Sequence, residues 1–222
     1  MDAPAERPPR RRRKLKALDL CCGRGGWTKG LLAAGFKVTG IDIVPQPDYP
    51  SQATFIQGDI HEVPIFDMRP FDVVTCSPPC QGFSYMNRQR LEGKRPTAEE
   101  LEFLRRCMSA IMVAKPRFWA VENVRGAIPY FNEVWGPPRM KWPPWFMWGR
   151  FPGFLVERDR VHKYGGTLIR GRYSHEDRKR WANAPKRQRA AVAAEVPLAL
   201  ARPFAFACAD AISPVVVRAE VA

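Results

Sequence analysis

No stretch of the sequence approaches the ~18 consecutive apolar residues that a membrane-spanning helix needs, so no membrane association is expected. Histidine is scarce: His61, His162 and His175 are the only three, and they are scattered. The six cysteines, Cys21, Cys22, Cys76, Cys80, Cys107 and Cys208, follow no disulfide-framework spacing, and no signal peptide precedes them. A reducing cytoplasm is the expected setting. Cys76 and Cys80 could form half of a zinc site, but no second Cys/His pair has the matching spacing, so no metal is expected. Acidic residues are few, 22 against 36 Lys and Arg. The resulting net charge of +14 and pI near 10 point to a polyanionic partner, with nucleic acid the leading candidate. Internal repeats are also missing.

What remains is enough for one full domain with a small insertion: 222 residues, 45% of them hydrophobic. Residues 1–14 are rich in Pro and Arg and read as a basic disordered tail. From Lys16 the pattern becomes regular. Ala17–Cys22 is a short apolar strand, Gly23–Gly26 a glycine turn, and Trp27–Ala34 a short helix closed by Gly35. Lys37–Ile43, Thr54–Ile60 and Phe71–Cys76 read as further strands. Thr97 with Glu100 forms a capping box, and Leu101, Leu104, Met108, Ile111 and Met112 follow as one helical stripe that Pro116 ends. Phe118–Val121 is a strand apolar on both faces, running into Glu122-Asn123-Val124. Alternation of strand and helix predicts an α/β, doubly wound domain with a mostly parallel sheet over residues 15–126.

After Gly126 the composition shifts. Residues 127–182 hold five tryptophans, many prolines and an excess of Arg and Lys over acids. They read as a small irregular basic insertion, with candidate strands at 145–148 and 153–156. Residues 183–222 regain an apolar pattern and are expected to return to the main domain as helices.

Two constellations carry chemistry. The turn Asp19-Leu20-Cys21-Cys22-Gly23-Arg24-Gly25-Gly26 joins a strand to a helix, where free backbone N–H groups can meet a ligand. Asp42 ends the next strand, where a carboxylate accepts ribose hydroxyls, and Asp59 ends the third on the same sheet edge. The full Gly-x-Gly-x-x-Gly fingerprint of dinucleotide sites is absent. A nucleoside-containing cofactor is therefore expected, rather than NAD. The second constellation is Cys80, fixed in an extended path by Pro78 and Pro79, with Glu122 at the end of a neighbouring strand. A thiol and a carboxyl at adjacent strand ends can share one cleft, one as nucleophile and the other as proton partner.

Pro79-Cys80-Gln81 with Phe83-Ser84, Glu122-Asn123-Val124, and the glycine turn resemble, in order and spacing, motifs of the DNA cytosine-5 methyltransferases. The likeness covers residues 17–126. It implies a Rossmann-like S-adenosylmethionine-dependent methyltransferase fold with a small target-recognition insertion. It implies that Cys80 adds to C6 of a flipped cytosine, that Glu122 serves N3, and that a methyl group passes to C5. Asn123 would support the loop or base edge. Gln81 and Ser84 would help the catalytic loop close on the nucleic acid. For S-adenosylmethionine, the resemblance implies Asp42 and Ile43 at the ribose, Asp59 and Ile60 at the adenine, and Asp19, Cys22, Gly23, Gly25, Gly26 and Pro79 along the rest. The family's bulky aromatic is replaced by Cys22.

The family's Gln-x-Arg-x-Arg motif is not recognisable. Arg139, for the cytosine, and Lys141, for the nucleic acid, are the nearest candidates. Asn183 is a partial match to the closing motif. The expected protein is a monomeric DNA methyltransferase acting on duplex DNA at the nucleoid of a bacterial or phage-infected cell, in restriction–modification or phage protection. The alternatives are the same chemistry on RNA such as tRNA, a DNA-binding homologue that no longer transfers methyl, and thiol addition with delivery of another group.

Overall fold

The computed structural model describes residues 13–62, 71–84, 96–156 and 195–213. They form a seven-stranded sheet in the order β3-β2-β1-β4-β5-β7-β6. The strands are β1 (Lys16–Leu20), β2 (Lys37–Asp42), β3 (Thr54–Gln57), β4 (Val73–Cys76), β5 (Phe118–Val124), β6 (Met140–Trp142) and β7 (Trp145–Arg150). The first five are parallel; β7 runs antiparallel to β5 and forms a hairpin with β6. The fold expected from the alternating pattern is thus present. Among the described residues, no helix is long and apolar enough to cross a membrane.

β1 and β4 occupy the centre and read as apolar because both their faces are covered: Leu18, Leu20, Val73, Val74 and Cys76 are buried. On one face lie α2 (Ala98–Ala114) and α3 (Ile128–Trp135); on the other lie α1 (Gly26–Ala33) and α4 (Leu198–Ile212). The capping box at Thr97 forms as expected: the Thr97 hydroxyl accepts from the Glu100 N–H at 3.2 Å and Glu100 accepts from the Thr97 N–H at 2.8 Å. The buried stripe of α2 differs from the one expected. It runs through Leu104, Cys107, Ala110, Ile111 and Ala114, while Met112 is exposed. Small side chains let the helix sit close to the sheet, so the two methionines are not needed as core.

α4 begins after Pro197 and packs along α1, with Trp27 edge-on to Phe204 at 5.0 Å. A Cβ on Gly30 would lie 2.5 Å from the Ala201 backbone, so only glycine allows this approach. Of the segment 183–222 expected to return as helices, residues 195–213 are described and hold α4; residues 183–194 and 214–222 lie outside the described residues, as does the tail over 1–12.

The boundary at Gly126 does not divide the sheet. The segment expected to open an irregular insertion instead supplies α3, β6 and β7, and β7 pairs with β5 from Val124↔Trp145 to Trp119↔Arg150. The tryptophans that suggest a separate unit are largely core here: Trp148 is fully buried against Phe131 at 4.8 Å. Residues 153–156 do not form a strand. The rest of the basic segment, from 157 to 182, lies outside the described residues.

Candidate active site

In an open α/β sheet the ligand crevice lies beyond the carboxyl ends of the strands, where the strand order reverses. Here the order reverses between β1 and β4. A cleft of about 290 Å³ occupies that place. Its wall follows the sheet order: Asp42 from β2, the turn Cys21–Arg24 after β1, Ser77–Gln81 after β4, Glu122 from β5, and Trp145 at the start of β7.

The glycine turn is shaped by its backbone and by buried acids. Gly23 and Gly25 hold φ of 46° and 78°, a region that favours glycine. Gly25 precedes the first residue of α1 and has no side chain to cap it. Asp19 of β1 does so instead. Its Oδ2 accepts from the Thr28 N–H at 3.2 Å and the Thr28 hydroxyl at 2.7 Å, and its Oδ1 accepts from Thr75 Oγ1 at 2.8 Å. Asp19 is fully buried and does not reach the cleft wall. Its expected contact with a cofactor is replaced by support of the turn from below. Burial raises its pKa to about 7.

Asp42 is half-buried and lines the cleft. Its Oδ2 accepts from the Gly23 N–H at 2.8 Å and its Oδ1 from the Val44 N–H at 2.9 Å. Each oxygen retains capacity for a hydroxyl donor. Arg24 lies in the same wall, 2.8 Å from Asp48 through Nη2. Its buried Nε has no hydrogen-bond partner among the described residues and stands 4.0 Å from the Glu195 carboxylate. Gly26 lies against the backbone of Val196, which also lines the cleft with Glu195. Glu195 pairs with Lys29 of α1.

Asp59 and Ile60 lie past the end of β3, which stops at Gln57 rather than Ile60. The Asp59 carboxylate accepts from the His61 N–H at 2.8 Å, and Ile60 is buried in the core. Ile43 is exposed. None of the three lines the cleft as it stands, nor does Gly25.

The thiol and carboxyl come together. Beyond β4, Pro78 is buried, Pro79 exposed and Cys80 half-buried. A tight turn follows, in which Phe83 and Ser84 donate their N–H groups to the Cys80 carbonyl at 3.1 and 2.9 Å. Phe83 anchors the turn against Phe131 at 5.4 Å. Gly82 lies so close to Glu100 of the α2 cap that a Cβ would come within 2.1 Å of its carboxylate. Gln81 is exposed and lines the cleft; Ser84 acts through its backbone bond and does not.

Glu122 is buried, and burial raises its pKa to about 8 against the opposing pull of a Ser77 hydrogen bond. It is therefore largely protonated at neutral pH. Ser77 is itself held by Trp27, whose Nε1 donates to Ser77 Oγ at 3.1 Å. Burial first, and the nearby Glu122 second, push the Cys80 thiol up. Asn123 is fully buried. Its Nδ2 donates to the Pro78 carbonyl at 2.9 Å, and its Oδ1 accepts from the Val124 N–H at 2.9 Å.

The structure does not bring Arg139 or Lys141 into the cleft wall. The Arg139 guanidinium lies over the Phe151 ring at 5.3 Å. Lys141 is exposed on the edge strand β6, in register with Phe146. Sequence reasoning also missed Arg24, Gln46, Ser77, Trp145 and Glu195, all of which line the cleft.

An open, mostly parallel sheet with a cleft at its switch point defines a Rossmann-like α/β fold. The model of the C-5 cytosine-specific DNA methylase family matches residues 15–133, more than half of the chain, and the chain belongs to this family. The Type II methyltransferase M.XorII of Xanthomonas oryzae pv. oryzae is 29% identical over 123 residues, 49% of this chain and 28% of that protein. The matched part thus spans little more than a quarter of that relative. Among solved structures, the Entamoeba histolytica methyltransferase EhMeth is similar at a TM-score of 0.48 and 14% identity, over 70% of this chain and 58% of that one. A mutant of Spodoptera frugiperda DNMT2 gives 0.42 and 16%, over 72% and 58%.

Proposed function

We propose that this protein methylates C5 of cytosine in DNA, using S-adenosylmethionine and a transient bond between Cys80 and C6 of the base. The observation that carries the reading is the pairing, in one cleft, of the Cys80 thiol with a Glu122 carboxyl kept protonated by burial. A neutral carboxylic acid can donate a hydrogen bond or a proton to N3, which a carboxylate cannot.

The cofactor fits the other half of the cleft. Asp42 offers acceptor capacity for ribose hydroxyls, and Cys22, Gly23 and Gly26 provide close wall contacts. The Arg24 Nε, without a hydrogen-bond partner among the described residues, is a donor suited to a carboxylate. S-adenosylmethionine, when bound, supplies the electrophilic methyl group. The chain's own residues do the rest. Glu122 passes its proton toward N3 and draws electrons from the ring. Cys80, its thiol proton released to solvent water, forms the C6–S bond, and C5 becomes nucleophilic. After methylation, water takes the C5 proton, the C6–S bond breaks to free the thiolate, and N3 returns its proton to Glu122, which restores the aromatic ring. Asn123, as a positioning residue, holds the Cys80 turn through Pro78. A cytosine in a duplex must leave the stack to reach Cys80, so base flipping belongs to the proposal.

The charge of +14 supports binding to a phosphate backbone. A monomeric cytoplasmic enzyme with target recognition beyond residue 156 is the form we propose. A modification role beside a restriction enzyme follows the Type II designation of M.XorII. The test is a covalent trap with duplex DNA containing 5-fluorocytosine, the fluorine blocking loss of the C5 substituent. A stable adduct with the natural protein in the presence of S-adenosylmethionine, and none with Cys80→Ser, is the expected result. Methyl transfer to RNA but not to DNA would replace the substrate, and cofactor binding without any adduct would favour an inactive homologue.

A further inference from the structure

Three thiols outside the proposed chemistry converge beside the cleft. Cys21 follows β1, Cys76 ends β4 and Cys107 lies in the middle of α2, yet their sulfurs all lie within 4.8 Å of one another. Cys76 and Cys107 are fully buried, and Cys21 is half-buried as a residue of the cleft wall. The sequence pairs Cys76 with Cys80 by spacing; the fold instead turns Cys76 toward two residues remote in the chain.

We propose that Cys21, Cys76 and Cys107 form a binding site for a single thiophilic divalent ion of the Zn²⁺ type. A Zn–S distance of about 2.3 Å corresponds to sulfurs about 4 Å apart around one ion, so a contraction of roughly 1 Å or less from the observed limit closes the site. Soft thiolates select soft or borderline metals, which excludes Mg²⁺ and Ca²⁺. A divalent ion also leaves less uncompensated charge among three buried thiolates than a monovalent one. Three protein ligands leave a fourth position for a water or another small donor.

Such an ion would tie three elements together. Cys21 precedes Cys22 and Gly23 of the cofactor half of the cleft, and Cys76 precedes the turn that presents Cys80. α2 already approaches this region through Arg106, which donates to the carbonyls of Ile60 and His61 at 3.2 and 3.1 Å. Metal loading would brace both sides of the cleft while leaving the Cys80–Glu122 pair outside the ligand set. Because this site does not include that pair, its test is independent of the proposed methyl transfer.

The experiment titrates the reduced, metal-free full chain with Cd²⁺, a spectroscopic stand-in for Zn²⁺. The ultraviolet thiolate-to-cadmium band is expected to saturate at one ion per chain, with X-ray absorption showing three sulfur scatterers and Zn²⁺ displacing the signal. Cys76→Ala and Cys107→Ala should each weaken binding at least tenfold. Cys80→Ala and Cys208→Ala should retain both stoichiometry and affinity. No saturable band, fewer than three sulfurs, or a band lost in Cys80→Ala would overturn the proposal. Should the Cys76 and Cys107 variants fail to fold, the sulfur count of the natural chain and the Cys80→Ala titration still decide.

Discussion

Asn123 of β5 donates its side-chain amide to the carbonyl of Pro78, 2.9 Å away, and so joins the strand that carries Glu122 to the turn that carries Cys80. The bond is fully buried, and the same side chain accepts from the Val124 N–H. Removing the amide would leave the Pro78 carbonyl unpaired in the core, a cost of about 1–3 kcal/mol. If that cost falls on the position of Cys80, Asn123→Ala should slow turnover by roughly 10- to 100-fold. Affinity for S-adenosylmethionine should change little, because Asn123 does not line the cleft. Equilibrium binding of the cofactor, measured beside single-turnover methylation, checks the split. Equal losses in both would point to general unfolding.

Glu122 makes a pH prediction of definite sign. Its folded pKa of about 8 stands above its ordinary value near 4.5. Between those values the unfolded chain releases a proton that the folded chain retains. Stability therefore falls as pH rises from about 4.5 to about 8, by an amount on the order of 4 kcal/mol. Glu122→Gln should flatten this part of the curve and be more stable than the natural protein at pH 8 in urea denaturation. Activity should move the other way. The glutamine cannot deliver a proton, so turnover should fall by ~100-fold or more. In the natural enzyme, the alkaline limb of kcat/KM should begin near pH 8, where Glu122 loses its proton. Persistence of that limb in Glu122→Gln would assign it to another group.

Asp19 shows how a buried acid can matter to a ligand it does not touch. Asp19→Ala would strip the Thr28 N–H, the Thr28 hydroxyl and the Thr75 hydroxyl of an acceptor. The loss of a helix cap and of buried hydrogen bonds together should cost about 2–4 kcal/mol. Asp19→Asn retains one acceptor oxygen and carries no charge to desolvate, so it should lose much less. Thermal unfolding of the two variants measures the difference. Cofactor affinity should follow stability of the turn, with Asp19→Ala weaker than Asp19→Asn.

The parts of this molecule legible in its sequence are those fixed by local chemistry. The Thr97 capping box needs only the Thr97 and Glu100 side chains and the backbone between them, and it forms where expected. The strand-turn-helix beginning at β1 follows from apolar residues, glycines and a helical stripe in direct succession. Glu195 carries no such signal. It reaches the cleft only because α4 packs on α1, through contacts such as Gly30 against Ala201. The β6–β7 hairpin is legible only in part: residues 145–148 read as a candidate strand and lie in β7, whereas β6 and the pairing with β5 carry no local signal. Its tryptophans and prolines suggest an irregular unit, but Trp145, Phe146, Met147 and Trp148 are all buried, as befits a strand covered on both faces. Cys76 has a short-range partner in Cys80 by spacing, and only the fold reveals its company with Cys21 and Cys107.

Arg139 provides a sharp test of spacing against geometry. As the nearest basic residue to a missing arginine motif, it is expected at the cytosine, yet its guanidinium lies over Phe151 at 5.3 Å. Phe151 in turn packs edge-on against Phe204 of α4 at 5.6 Å, so Arg139 helps cover the face of the sheet opposite α2. A cation–π contact of this kind is worth about 0.5–1 kcal/mol at an exposed site and more when desolvated. Arg139→Ala should therefore lower stability by roughly that amount, and Arg139→Lys by less. Neither change should alter turnover on duplex DNA by more than a few-fold, since a residue outside the cleft makes no interaction confined to the transition state. Chemical denaturation and steady-state methylation on the same preparations decide the matter. A loss of turnover by about 100-fold at unchanged stability would mean that Arg139 leaves Phe151 and enters the cleft when DNA binds.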